Sequence, residues 1–417
     1  MTTIPSTSST SSTSSTSSPR IIRFFETTLR DGEQTPGVNY FPAEKLAIAR
    51  ALADMGFDTL DCGFAISSPG EFECLRLIAA QVRNAEICSI ARANPADIDR
   101  AWEAVKDAEY PVIHPFLSTS PLHRQVKLGK TREQVLELAR MAVGRARGYT
   151  ERVDFALEDS TRTEHDFILE VCEAVLKEGV RFIAICDTVG YALPWEFGKL
   201  IADVKREFPH ARISAHCHDD LGLAVANAIE GLRNGAERVD TSFNGLGERA
   251  GNAATEEVIM AIRTRSADLG LDVRVDTTKI AETSRLVQKL SGMQVQWTKA
   301  IVGRNAFSHG GGIHQDGVLK DARTYEIMTP ESIGLTTADR RIFMGKLSGR
   351  AALDAQLREL GYQLEKEQLN RAFDMAKLLL GKKKTLEELD LRYVAETAQG
   401  QAKAVGITAT AVESGNL

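Results

Sequence analysis

Ile213-Ser214-Ala215-His216-Cys217-His218-Asp219-Asp220 is a short apolar run that ends abruptly in side chains able to bind ligands. At strand spacing His216 and His218 share one face, and two neutral imidazoles there suit a divalent cation. A His-x-His pair alone is weak evidence, because such a pair also fills polar layers of a barrel. The pattern around it recurs, however. Between residue 20 and about residue 268, short apolar runs alternate with amphipathic stretches. The strand candidates are Ile21–Phe25, Thr59–Cys62, Ile87–Ala91, Val112–Phe116, Val153–Leu157, Phe182–Cys186, Ile213–His216 and Val239–Ser242. Helical patterns between them include Glu44–Met55, closed by Gly56, and Arg132–Arg147, with Thr131 as N-cap. Strict alternation predicts a (β/α)8 TIM barrel, with an open doubly wound sheet as the alternative. Polar residues gather just after the strands, as Arg30-Asp31, His114, Glu158-Asp159, Asp187-Thr188, His216 with His218, and Asn244. That is the distribution expected for the C-terminal face of a barrel, where the loops build a site.

The chain of 417 residues, with a formal net charge of −6, has no basic field for nucleic acid. Its six cysteines lack the short paired spacings of a zinc or disulfide framework and read as reduced, buried thiols. No apolar run approaches the ~20 residues of a membrane span, and no signal peptide is evident. A cytoplasmic protein is expected. Residues 1–19, nearly all Ser and Thr, read as a disordered tail. Their composition also allows a transit peptide, against which stands the absence of arginine before Arg20. Residues 20–270 are then the catalytic barrel and 271–417 a helical region without further strands. That region holds the glycine-rich loop His309 to Asp316 and a Leu-rich stretch, Leu353 to Leu389, read as a packing or dimerisation surface.

Asp31 follows the first strand in Thr27-Thr28-Leu29-Arg30-Asp31-Gly32-Glu33-Gln34. In a barrel the ends of strands one and seven converge, so Asp31, His216 and His218 can form an N,N,O site with positions left for substrate. Such a set leaves Mg, Mn, Zn and Co all open. The run Asn244 to Asn252 offers amide oxygens for a further ligand, and its glycines allow close backbone approach. Arg30 can stabilise charge growing on a ketone oxygen, or be a simple ion pair. Glu158 can act as acid or base or merely orient a neighbour, and Thr188 and His114 offer hydrogen bonds to a carboxylate. His309-Gly310-Gly311-Gly312 has no Gly-x-Ser-x-Gly elbow to accompany it, which removes a serine hydrolase. Without a dinucleotide fingerprint or a phosphate loop, nucleotide enzymes fall too.

Taken together, these residues resemble the family of 2-isopropylmalate, homocitrate and citramalate synthases. The resemblance spans residues 21–395 and rests on five ordered motifs. These are Glu26 to Gln34, Asp187 to Tyr191, His216 to Gly222, Asn244 to Asn252, and Gly312 to Lys320. The resemblance implies a metal-dependent condensation of acetyl-CoA with a 2-oxo acid, 2-oxoisovalerate foremost, with release of CoA. It implies Asp31, His216 and His218 as metal ligands, with Asn252 as a weaker one, and Arg30 polarising the ketone. Glu158, His114 and Thr188 would contact the acceptor. In a homodimer the helical region of one subunit would bring His314 and Tyr325 to its partner's site. Either Glu158 or His314 would take the methyl proton.

Departures from the family pattern fall on Ala156 and on Ala184 and Cys186, positions that resemble those lining the pocket for the acceptor's side chain. With the missing C-terminal regulatory domain, which implies no leucine feedback, they make a specialised paralogue using another 2-oxo acid the main rival. Asp154 stands where homocitrate synthases carry an arginine for a second carboxylate, which argues against 2-oxoglutarate. Ser118-Thr119-Ser120-Pro121 and Tyr325-Glu326-Ile327-Met328 favour the isopropylmalate branch. An acyl-CoA lyase would carry a cysteine in the loop after strand eight, where this chain has Glu248 and Arg249. A non-catalytic barrel protein is disfavoured by the intact motifs.

Overall fold

The structure, a computed structural model, describes residues 18–400. The expected tail therefore lies almost wholly outside the described residues, as does the chain after residue 400. Two compact units form, one of residues 18–276 and 283–293, the other of 277–282 and 294–400.

In the first unit β1 (Arg20–Glu26), α1 (Pro42–Met55), β2 (Thr59–Asp61), α2 (Pro69–Gln81), β3 (Glu86–Arg92), α3 (Pro95–Val105), β4 (Pro111–Ser118) and α4 (Arg132–Arg147) alternate. They are followed by β5 (Asp154–Glu158), α5 (His165–Lys177), β6 (Phe182–Asp187), α6 (Pro194–Glu207), β7 (Ile213–Cys217), α7 (Ala224–Arg233), β8 (Arg238–Thr241) and α8 (Thr255–Thr264). The strands pair in parallel in sequence order, and β1 pairs with both β8 and β2, closing the barrel. Each strand candidate read from the apolar pattern is one of these strands, because residues buried on both faces leave near-continuous apolar runs. Helix ends follow local chemistry as well. Thr131 and Gln134 form a capping box on α4, and Gly56 ends α1 at φ 89°, a conformation costly for other residues.

The sequence reading stops the barrel at residue 270, but a short strand β9 (Leu271–Val273) continues it, pairing in parallel with Arg20, Ile21 and Ile22. The three-residue β2 meets β1 only at Phe25 and Glu26, which leaves the start of β1 without that neighbour.

The second unit is helical but not free of strands. Ser308–His309 and Arg341–Ile342 pair in parallel, contrary to the expectation from sequence. The buried Gln315 amide donates to both His309 O and Phe343 O at 2.8 Å, supplying partners that two-residue strands cannot give each other. Leu353, Leu357, Ala372, Ala376, Leu380 and Val394 form this unit's own core, so much of the Leu-rich stretch is internal packing. Among the described residues no helix is long and apolar enough to cross a membrane. All six cysteines are free and buried.

One buried cation fixes the loop that follows β1. Lys45 of α1 lies 2.7 Å from both Glu33 and Glu71, while Glu33 also accepts from Tyr40 N at 2.8 Å. Replacing Lys45 by Met strands two carboxylates around an apolar side chain. Lys45→Met is expected to lose about 3–5 kcal/mol of stability in urea unfolding, with partial recovery when Glu71→Gln is added. Equal midpoints for Lys45→Met and the parent chain would contradict this role.

Candidate active site

The turn after β1 is held from below by Glu26, whose buried carboxyl accepts from Thr28 N at 3.0 Å and from Thr28 Oγ1 at 2.6 Å. Burial pushes Glu26 up to about 7, against the pull of these hydrogen bonds. Gly32 N and Arg30 N both return to Thr27 O, and the tight turn brings Asp31 over the barrel mouth. His216 reaches the same place from β7, and His218 follows two residues later, bridged in backbone register to Asn252.

Asp31, His216 and His218 each offer a ligand atom within 4.8 Å of the others, and all three are buried. The two Nε2 atoms are 3.2 Å apart, and His216 Nε2 is 3.7 Å from Asp31 Oδ2. Asp31 Oδ2 and Asn252 Oδ1 are buried with no hydrogen-bond partner. Buried lone pairs without donors are costly unless something accepts them, and this set fits a divalent cation. Burial works against the Asp31 charge, yet the Arg30 guanidinium holds its carboxyl below the usual range. Burial, with His216 beside it, pushes His218 down to about 4 and keeps it neutral as a ligand must be.

Arg30 is paired twice, with Asp31 through Nη1 and with Asp61 through Nε at 2.6 Å. Arg30 thus forms ion pairs through two of its nitrogens, Nη1 and Nε. A cavity of about 310 Å³ opens over the triad. Arg30, Asp31, His216, His218, Glu158, Thr188 and Arg249 are among its polar lining, whereas Ile90, Phe116, Ala156 and Cys186 form an apolar wall. Lys127 Nζ and Ser118 Oγ each donate to Glu158 at 2.5 Å. Thr188 Oγ1 accepts from Asp159 N at 2.9 Å, so its own proton is free to be donated.

His114 lies in mid-strand on β4, inside the barrel, and not after the strand as the sequence pattern suggests. Both its ring nitrogens are buried without partners, and it lines the cavity. Burial pushes it down to about 4, so it presents an uncharged ring.

Other expectations need correction. Ala184 is paired with Ala156 but is itself buried and does not line the cavity. Asp154 does not line it either. It is buried against Arg238 and Arg181, and so carries no information about the acceptor's second carboxylate. Asn244 spends its amide on Ser284, which leaves Asn252 as the amide with an unused oxygen. The loop glycines serve the loop itself, since a side chain on Gly251 would meet Gly245 O at 1.9 Å. His314 and Tyr325 belong to the second unit, their rings 4.4 Å apart.

Two carboxylates escaped the sequence reading, Asp61 behind Arg30 and Asp240 behind His216, the latter with Oδ2 at 3.3 Å from His216 Nδ1. Their signal is an acid within a short buried strand, Thr59–Asp61 and Arg238–Thr241, a costly placement unless the charge is paired.

This barrel with a buried N,N,O cluster and an arginine at its mouth matches the family model described as HMGL-like over residues 21–287. Residues 301–384 match a model described as homocitrate synthase post-HMGL domain-like. The 2-isopropylmalate synthase of Ruminiclostridium cellulolyticum is 49% identical over 400 residues, covering 95% of this chain and 78% of that one. The 2-isopropylmalate synthase of Pyrococcus furiosus is 47% identical, covering 92% of this chain and 77% of its own length. The chain belongs to the 2-isopropylmalate synthase branch of the HMGL-like family. Among solved structures, the hydroxymethylglutaryl-CoA lyase of Pseudomonas aeruginosa shares the fold at TM-score 0.59 and 22% identity, covering 66% of this chain and 95% of that one. The HMG-CoA lyase of Brucella melitensis does so at TM-score 0.55 and 20% identity, covering 66% and 100%.

The neutral state of His114 has a consequence for stability. Unfolding returns it to an ordinary pKa of 6.5, so between pH 6.5 and about 4 the unfolded chain binds a proton that the folded barrel refuses. This contribution is complete above pH 6.5 and is lost as pH falls through that window, by up to about 3 kcal/mol. Urea midpoints at pH 7.5 and 4.5 are expected to differ more for the parent chain than for His114→Phe. Equal differences would contradict the assignment.

Proposed function

We propose that this chain is an acyltransferase that condenses acetyl-CoA with 2-oxoisovalerate, forming 2-isopropylmalate and releasing CoA. The observation that carries this reading is one cavity lined both by a buried Asp-His-His cluster with Arg30 and by an apolar wall. A 2-oxo acid has that same division, with a chelating head of carboxylate and ketone and a branched aliphatic tail. Asp31, His216 and His218, with Asn252 as a further oxygen donor, would hold a divalent cation, Mg, Mn, Zn or Co. When bound, that cation would act as a Lewis acid on the ketone and stabilise the alkoxide.

The remaining chemistry falls to side chains. Arg30, kept protonated by Asp31 and Asp61 against the effect of burial, directs Nη2 at the ketone oxygen and stabilises negative charge there. Thr188 and the uncharged His114 offer hydrogen bonds to the acceptor's carboxylate, and Ala156 and Cys186 bound its aliphatic tail. Both oxygens of Glu158 are already accepting, from Lys127 and Ser118, which suits an orienting role. His314, delivered with Tyr325 by the partner chain of a homodimer, would then take the methyl proton of acetyl-CoA. The resulting enolate attacks C2 of the acceptor, and hydrolysis of the thioester makes the sequence irreversible. The setting is cytoplasmic, where both substrates are available.

CoA release should be followed with a thiol reagent and Mg or Mn present, over 2-oxoisovalerate, pyruvate, 2-oxoglutarate, oxaloacetate and longer 2-oxo acids. Release dependent on 2-oxoisovalerate is expected; release with another acid alone would reassign the branch, and none with any acid would overturn the reading. Asp31→Ala and His216→Ala should each lower turnover by about a thousandfold or more, the several kcal/mol of a lost Lewis acid. Full turnover by either variant would refute the ligand assignment. His314→Ala and Arg30→Ala, each inactive alone, should regain part of the activity when mixed as heterodimers. No recovery after verified subunit exchange would count against a shared site.

A further inference from the structure

Below the metal-binding cluster a line of polar and charged side chains runs down the barrel interior, and beyond His216 itself no step of the condensation uses it. It begins at His216, whose Nδ1 is 3.3 Å from Asp240 Oδ2. The other oxygen of Asp240 accepts from Ser214 Oγ in a short hydrogen bond. Ser214 in turn accepts from Arg238 Nε at 3.0 Å, and Arg238 Nη1 donates to Asp154 Oδ2 at 2.5 Å. Asp154 is completed by Arg181, which bridges to Glu86 on β3. Ser214, Arg238, Asp154 and Asp240 are all buried, Arg238 fully so, with its guanidinium 4.5 Å from the Phe25 ring centroid and 4.1 Å from that of Phe182.

Burying two carboxylates and a guanidinium inside the barrel, on β5 and β8, costs several kcal/mol per ion before pairing. An apolar layer of the same volume would pack the barrel without that cost. The arrangement makes sense through what it does at its upper end. The Asp240 carboxylate can only accept, so it requires the proton of His216 to sit on Nδ1 and turns the lone pair of Nε2 toward Asp31 and His218. His218 has no such support, because its Nδ1 is buried without a partner.

We propose that Asp240 is the positioning residue of the metal centre, fixing the tautomer and ring orientation of His216, and that Ser214, Arg238 and Asp154 hold Asp240 in place. His216 is then the anchoring imidazole and His218 the looser one. The inference rests on the metal-centre reading of the proposed function, but its test requires no substrate.

The test is Mn2+ titration of the full-length chain, followed by the loss of the free-ion EPR signal, for the parent chain and Asp240→Asn. Asp240→Asn is expected to weaken Mn2+ binding about 10–100-fold while the chain stays folded by circular dichroism. In 15N-histidine spectra the His216 resonance of the parent is expected to show protonated Nδ1, and the variant to lose this signature. Should Asp240→Asn fail to fold, Ser214→Ala, which removes one hydrogen bond to Asp240, is expected to weaken Mn2+ binding in the same direction by a smaller factor. Mn2+ affinity equal to the parent's in a folded variant overturns the positioning role while leaving the acyltransferase reading intact. No Mn2+ binding by the parent chain overturns both.

Discussion

Asp31 must keep a negative charge where there is almost no water, and the arrangement of the site follows from that constraint. A lone buried carboxylate would take up a proton and cease to be a ligand. Arg30 prevents this, but a buried guanidinium needs partners of its own, which brings in Asp61 at the end of β2. The two imidazoles reach the same place from the end of β7, two strands away. Closure of the sheet is what makes this possible, because β1 and β7, far apart in sequence, both border β8.

The same logic explains where the cavity is polar and where it is not. Groups able to hold an anionic head, directly or through a cation, stand at the ends of β1, β6 and β7. The apolar wall comes from Ile90 on β3, Phe116 on β4, Ala156 on β5 and Cys186 on β6. His114 stands at the junction, uncharged because of burial, and gives hydrogen-bonding capacity without adding another charge to be paired. A branched aliphatic 2-oxo acid fits this division.

Much of the barrel was legible in the sequence. Strands buried on both faces leave apolar runs that composition exposes directly, and the Asp31, His216, His218 set follows once strands one and seven are known to converge. Depth inside the barrel was not legible. The pattern puts Asp154 and Ala184 on strands but does not say at which layer of the barrel they lie, since strand tilt and stagger set the layer. Asp154 therefore read as a pocket residue when it belongs to a buried ion pair, and Ala184 as lining when it lies beneath the cavity. β9 and the two-residue strands of the second unit were invisible for a different reason. They are too short to show a period, and exist because neighbouring backbone needs partners.

The central claim is that Asp31, His216 and His218 hold a divalent cation on which the acceptor's head is seated. Pulsed EPR of the Mn2+-loaded chain with 2-oxoisovalerate carrying 13C at C1 and C2 tests it most directly. The account predicts couplings from two imidazole nitrogens together with 13C coupling that appears only when the acid is added. Bound Mn2+ with no nitrogen coupling, or with a spectrum indifferent to the labelled acid, would contradict it.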